Sequence, residues 1–445
     1  MGDIQVGVFG LGVVGSAVVS ILRKNQALIR ARLGTGLHVK RAVVAHPEKK
    51  RSVELDGIAV SDDPASILED KDIDIVVELI GGTTTARQVV LGALDAGKAV
   101  VTANKALLAE CAQEVFGKVY EKGLPIGMEA SVAGGIPILR SLKEGLSSER
   151  IVEISGIVNG TCNYILTRMT AEGAPFDQVL AEAQRLGYAE AEPSFDVDGI
   201  DAAHKLAVLV NLAYGTMVPY KDIYVEGIRA ITPMDIAYAQ QLGFSIKLLA
   251  IGKLNNGEVE ARVHPTLVEH EHLLSSVNGV FNAVFITGDN VDATMSYGRG
   301  AGGAPTGSAV VSDIIDIARN LRVGIRSKIP ALSVMQGELR TLPVMKIDRL
   351  RSEYYLRFQV LDRTGVLAAI TRVMGENDIS IKSMLQPARS RHPDDPVQVI
   401  LITHHATEAN VRKSLREIAP MNFIAGETQL IRIERFAGEG ELEEA

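Results

Sequence analysis

Residues 7–19 read GVFGLGVVGSAVV, in which Gly10, Gly12 and Gly15 stand as G-x-G-x-x-G between an apolar strand and an apolar helix. The first glycine permits a tight turn, the second lets a phosphate approach the backbone, and the third lets strand and helix pack closely. Val13 and Val14 then sit at a helix N-terminus, where free N–H groups and the helix dipole favour an anion. An ordinary tight turn uses the same glycines, so the motif draws its force from its setting. Up to about residue 128, short apolar strands alternate with helical stretches: IQVGVFG, then 15–32; HVKRAVVA, then 64–69; DIVVELIG, then 84–97; KAVVTANK, then 105–122; and LPIGMEA. That rhythm predicts an α/β domain over residues 1–135, a Rossmann-type parallel sheet covered on both faces that binds a dinucleotide.

From 136 to 320 the pattern changes. Helical stretches at 161–172, 175–187 and 199–214 precede β-rich segments such as SIKLLAIGKL, EVEARVHPTLV and GVFNAVFIT, which predicts an α+β domain with helices on a mixed sheet. GRGAGGAPTGSAVVSDIIDIARNL (298–321) is a glycine-rich loop running into an apolar helix that can carry the chain back to the first domain. Residues 321–350 read as a return segment and linker. Over 351–436, strand-helix-strand occurs twice, the βαββαβ order of a ferredoxin-like unit. The acidic tail AGEGELEEA (437–445) has no apolar pattern and is expected to be disordered.

Charge and cysteine content narrow the function classes. The chain carries 46 basic and 54 acidic side chains, a net −8 spread along its length, which argues against nucleic acid as partner and toward small molecules. Cys111 and Cys162 are too few for a disulfide framework and lack metal-ligand spacing, so a reducing compartment is favoured. No stretch approaches the ~20 apolar residues of a membrane span, and the apolar N-terminus lacks the basic region and cleavage site of a signal peptide. A cytoplasmic protein without a membrane partner is the expectation.

Three stretches supply candidate chemistry. The second strand ends in Ala45 and His46 rather than in an acid that would hold a ribose 2′-hydroxyl, and Arg41, Lys49, Lys50 and Arg51 surround it. Basic groups there suit a 2′-phosphate, which favours NADP over NAD unless they are solvated surface charges. Lys105 follows the fourth strand, where ligands gather in open α/β sheets. Asn159, Gly160 and Thr161 mark a strand-to-helix transition whose free N–H groups could hold a carboxylate. YAEAEPSFDVDGIDAAHK (188–205) places Glu190, Glu192, Asp196, Asp198 and Asp201 ahead of Lys205. By spacing alone, Asp201 and Lys205 equally describe a surface i,i+4 pair worth ~0.3–0.5 kcal/mol.

Taken together, the glycine turn, TANK, EASVAGGIPIL, NGTCNYIL and YAEAEPSFDVDGIDAAHKL resemble the homoserine dehydrogenase family in order and spacing over about residues 4–320. The resemblance implies NAD(P)-dependent interconversion of L-homoserine and L-aspartate 4-semialdehyde, on the route to threonine, methionine and isoleucine. It makes Lys205 the acid–base group, with Lys105 between nicotinamide and substrate and sharing the proton chemistry. Glu190 and Asp201 face homoserine, Tyr188, Asp196, Gly160 and Thr161 lie nearby, and Gly303 joins the cofactor contacts. MEASVAGGIPIL resembles the family's monovalent-cation loop, with a Glu129 side-chain oxygen and carbonyls of Val132, Gly134 and Ile136. Such an all-oxygen set suits sodium. The same loop also reads as a glycine hinge.

LRFQVLDRTGVLAAITRVMGENDISI is similar to an ACT domain, which implies an amino-acid pocket at Asp362 and Gly365, threonine as effector, and a homodimer or homotetramer. A module that dimerises without ligand fits the same residues. Removing residues 350–445 is then expected to spare catalysis. Two other functions are compatible with parts of the chain. Aspartate-semialdehyde dehydrogenase needs an activated thiol, and Cys162 reads instead as a core-facing helix residue. A non-catalytic NADP-linked amino-acid sensor would have no use for TANK, Glu190, Asp201 and Lys205 together.

Overall fold

In the computed structural model, which describes residues 2–325, 327–386 and 395–436, strand β1 (Ile4–Phe9) runs directly into the glycine turn. The tail 437–445 lies outside the described residues. β2 (Leu37–Val43), β3 (Ala59–Ser61), β4 (Ile75–Glu78), β5 (Ala99–Thr102) and β6 (Ile126–Gly127) join β1 in one parallel sheet of order β3-β2-β1-β4-β5-β6. Strand order reverses between β1 and β4, and the crevice at such a switch point receives the ligand in doubly wound folds. β4 and β5 are buried on both faces, which explains their unbroken apolar runs. Two helical stretches are each split: Val13–Lys24 and Gln26–Leu33 part at Asn25, and Lys105–Glu110 and Ala112–Lys122 part at Cys111. Neither break carries a glycine or proline, so periodicity runs through both.

The second sheet contains β7 (Ile151–Ile157), β8 (Tyr224–Val225), β9 (Phe244–Asn255), β10 (Glu258–Glu269), β11 (Phe281–Gly288) and β12 (Ala293–Arg299). Its order is β12-β11-β7-β9-β10, antiparallel throughout, with β8 added parallel to β10. The helix Ile200–Tyr214 lies against it and is buried along almost its entire length. Gly199 (φ 86°) starts this helix and Gly215 (φ 57°) ends it, both in the left-handed region that glycine adopts at little cost. The helix Gly303–Arg322 falls inside the expected second domain but packs on the first: Val310, Ile314 and Ile317 share one core with Val6, Val8, Val18 and Leu22. This helix thus carries the chain back to the first domain, where its apolar face covers the parallel sheet.

The last unit runs β13 (Arg351–Leu361), helix Val366–Glu376, β14 (Ile381–Leu385), β15 (Pro396–Thr403), β16 (Ala406–Thr407), helix Glu408–Ile418 and β17 (Gln429–Ile433). The strand order β17-β13-β15-β14 is the ferredoxin-like arrangement anticipated from βαββαβ. β17 also pairs in parallel with β10 through Thr266–Arg432 and Leu267–Ile433, so the two sheets are continuous. Buried charge lines this seam. Arg262 donates to Glu434 (2.7 Å) and Glu260 (2.8 Å), Lys253 donates to Glu434 (2.6 Å), Arg357 donates to Asp235 (2.6 Å), and Arg432 bridges Glu408 and Glu226. Among the described residues no helix is long and apolar enough to cross a membrane.

Candidate active site

The glycine turn meets the requirements of a dinucleotide cradle residue by residue. A Cβ on Gly10 (φ 96°) would lie 2.7 Å from the Leu79 carbonyl oxygen, and one on Gly15 would lie 2.0 Å from that of Gly10. Gly12 is the opposite case, with open space where its Cβ would point, as a phosphate approaching the backbone demands. Val13 is solvent-exposed at the start of the first helix, and Gly303 packs against it, a Cβ there lying 2.9 Å from the Val13 side chain. The turn thus fits a bound nicotinamide dinucleotide.

A cleft of about 550 Å³ extends from this turn into the second domain. Val14 and Gly302 line one side of it, and Asn159, Asp196, Asp201 and Lys205 line the other. Lys105 enters from the first domain, directly after Asn104, whose side chain caps the helix by accepting from Leu107 N. Buried Glu78 secures that approach, accepting from Ile80 N, Gly81 N and the Thr102 hydroxyl at the ends of β4 and β5. Lys205 and Asp201 come from the buried helix, one turn apart.

Asp201 is the centre of the constellation. Its Oδ1 lies 3.0 Å from Lys105 Nζ, and its Oδ2 accepts from Lys205 Nζ at 2.7 Å and from Asn159 Nδ2 at 2.8 Å. Burial opposes ionisation of Asp201, but Lys205 and Lys105 outweigh it and hold the carboxyl well below the usual range. Lys205 also donates to the Val158 carbonyl oxygen at 2.6 Å, which leaves one N–H for the cleft that it lines. The pair is therefore not the surface salt bridge that i,i+4 spacing also described: the Asp201 side chain is 5% exposed and that of Lys205 10%. Asp196 behaves differently, its carboxyl raised by burial and by the charge of Asp201. Thr161 donates to the Tyr188 carbonyl oxygen (2.8 Å) and to Asp196 (3.3 Å), and Gly160 and Thr161 offer the first N–H groups of the helix Gly160–Glu172.

Two expected site residues, Glu190 and Arg41, do not line the cleft. Glu190 is exposed and does not line the cleft, although it lies two residues beyond Tyr188, which does. Glu192 caps the short turn at Ser194, and Asp198 pairs with Arg229. Arg41 is engaged within the protein: its guanidinium donates to Asp70 at 2.8 Å, on the segment leading into β4. Burial raises the Cys162 thiol well above its ordinary pKa, so it is no activated nucleophile.

In the 128–139 loop, both Glu129 oxygens accept backbone N–H groups at 2.8 Å, from Leu139 and Arg140, so the carboxylate serves as a helix cap. The Ile136 carbonyl takes Ile138 N, whereas those of Val132 and Gly134 accept no backbone hydrogen bond among the described residues. The loop thus fits a cation in part, with Glu129 shared. Asp313, on the returning helix, accepts from Glu129 N and is pushed up to about 7 by burial and by Glu129. In the third unit, Gly365 (φ 88°) opens the helix Val366–Glu376 with free space at its Cβ, and Asp362 is half-buried beside it.

Sequence reasoning gave no role in the site to Phe195 and His204. The Phe195 ring lies 5.6 Å beneath Lys105 Nζ and packs on buried His204. A lone aromatic in a polar stretch carries no signal of that contact.

Family models match the chain over three segments: Homoserine dehydrogenase, NAD binding domain, at residues 10–126; Homoserine dehydrogenase at 137–315; and ACT domain at 354–420. The homoserine dehydrogenase of Pseudomonas aeruginosa is 41% identical over 98% of this chain and 100% of its own. A crystal structure of a homoserine dehydrogenase from Thiobacillus denitrificans superposes with a TM-score of 0.92 at 43% identity, covering 97% of this chain and 98% of its own. A hyperthermophilic archaeal homoserine dehydrogenase in complex with NADPH covers 72% of this chain and 98% of its own, at 26% identity and a TM-score of 0.59.

Proposed function

The chain belongs to the homoserine dehydrogenase family, and on that premise we propose that it interconverts L-aspartate 4-semialdehyde and L-homoserine with a nicotinamide cofactor. The observation that carries this reading is the Lys105–Asp201–Lys205 cluster in the cleft that opens from the glycine turn. When bound, the nicotinamide supplies hydride to the aldehyde carbon or removes it from the alcohol.

Lys205 gives a proton to the carbonyl oxygen during reduction and recovers it during oxidation. Reduction requires the ammonium form of this side chain, the form that pairs with the Asp201 carboxylate. A positioned acid of this kind contributes ~10² to 10⁴ in rate. Asp201 holds the Lys205 ammonium in place and orients Lys105 beside it. The N–H groups of Gly160 and Thr161 hold the substrate carboxylate, and Asp196 and Tyr188 line the path of its ammonium. Glu190 completes the ammonium contact if the 187–190 loop moves inward when substrate binds.

NADP is the cofactor of this reading. Arg41 pairs with Asp70 in this structure, and the loop after β2 adds further basic groups: His46, Lys49 and Lys50 are exposed and Arg51 donates to the His46 carbonyl oxygen. Sodium at the Glu129 loop, threonine at the Asp362–Gly365 loop, and a homo-oligomer belong to the same reading. The test is direct: oxidation of NADPH with aspartate semialdehyde in phosphate-free buffer. Turnover supports the assignment, and its absence with intact fold and bound NADPH points to the non-catalytic sensor.

A further inference from the structure

Asn159 is 3% exposed and spends its whole amide inside the candidate site. Oδ1 accepts Cys162 N at 2.8 Å and so caps the helix Gly160–Glu172. Nδ2 donates to Asp196 Oδ1 and to Asp201 Oδ2, both at 2.8 Å. A single NH₂ group therefore stands between the buried carboxylate of Asp201 and the half-buried one of Asp196. Without it, two like charges would face each other across a poorly solvated gap, and Asp201 would lose a contact that fixes its orientation. No single helix supplies that restraint. Asp196 lies in the turn Ser194–Val197 and Asp201 in the helix Ile200–Tyr214, with left-handed Gly199 between them.

We propose that Asn159 is a positioning residue for proton transfer: its carboxamide holds the Asp201 carboxylate, and through it the Lys205 and Lys105 ammonium groups, in the orientation the reaction uses. This inference rests on the role given to Lys205 under the proposed function. The position demands an amide. It must accept at one end, donate twice at the other, and remain uncharged between two acids. Aspartate could keep the cap but could donate only when protonated. Serine could keep the cap but would be too short to reach both carboxylates.

The test compares Asn159→Asp and Asn159→Ser with the unaltered full-length chain, following NADPH oxidation by aspartate semialdehyde from about pH 6 to 9. Asn159→Asp is expected to lose at least ~10-fold in kcat at high pH and to recover as pH falls, with KM changing less than ~3-fold. Recovery follows because a protonated carboxyl regains one donor. Asn159→Ser should lose activity without that recovery. Activity of Asn159→Asp within ~2-fold of the unaltered chain throughout, or an equal loss at every pH, overturns the proposal. Lys205→Ala measured alongside keeps the two readings apart: undiminished kcat in that variant removes the lysine assignment, whatever Asn159 does.

Discussion

Asp201 accepts from two lysines and an asparagine, so charge on this one carboxylate organises both candidate proton donors. The lysines differ in setting. Lys205 is held by Asp201 and the Val158 carbonyl, whereas Lys105 is 32% exposed and rests over Phe195. Lys205→Ala is therefore expected to lower kcat by at least ~10²-fold without changing NADPH affinity, and Lys105→Ala to cost less in kcat and more in KM. Single-turnover rates with matched binding titrations decide it, and equal kcat losses would make the two lysines joint proton donors. At this scale, residue identity was legible in the sequence and contact was not. Asp201 and Lys205 are four apart in one helix, but Asn159 lies 42 residues from Asp201 and its role appears only when two helix starts meet. Arg41 shows the converse. Its strand announces a cation, and the partner it finds in the fold, Asp70, lies 29 positions away.

The two elements that matter most are the glycine turn and the loop after β2. The turn was readable because its chemistry is local: Gly10 is left-handed, Gly10 and Gly15 have no room for a Cβ, and Gly12 faces open space. Cofactor preference is the finer matter. If the loop rather than the strand recognises a 2′-phosphate, Lys49→Glu with Lys50→Glu should lower kcat/KM for NADPH by ~10-fold or more relative to NADH, while Arg41→Met leaves that ratio unchanged. A ratio that follows Arg41 instead would mean that the Asp70 pair opens on binding. Helix boundaries were less legible, since the breaks at Asn25 and Cys111 are imposed by packing rather than by a breaker residue.

For the whole molecule, the main consequence lies at the seam between β10 and β17. Arg262 and Asp235 are buried in the second domain, and their partners Glu434 and Arg357 come from the third unit. Deleting residues 350–445 would take Glu434 from Arg262, which keeps Glu260, take Arg357 from Asp235, which keeps Thr232, and bare the β10 edge that β17 covers. The expectation that truncation spares catalysis therefore requires the shortened chain to hold its fold without this seam. The shortened chain should melt at least ~6 °C lower, if it folds at all. An unchanged midpoint would show that water readily replaces the lost partners. Gly365→Val is the gentler probe of regulation, because it alters the ACT loop and leaves the seam intact. If threonine acts at that loop, this variant should lose inhibition while uninhibited kcat is preserved. The seam should also loosen in acid and not in alkali. Glu434 and Glu408 are both held below the ordinary carboxylate value of 4.5, so their contribution is complete above that value and is lost as pH falls through the depressed ones.

By itself the sequence determined the parallel sheet, the glycine cradle, the βαββαβ order and the residue types of the site, because each depends on spacing within a few turns of chain. Tertiary structure alone decided which charges meet. It paired Arg41 with Asp70, placed Asn159 between Asp196 and Asp201, and joined β17 to β10. The physical reason is common to all three. A buried charge or an open strand edge must find a partner, and the partner that satisfies it is chosen by proximity in space, which the order of residues along the chain does not record.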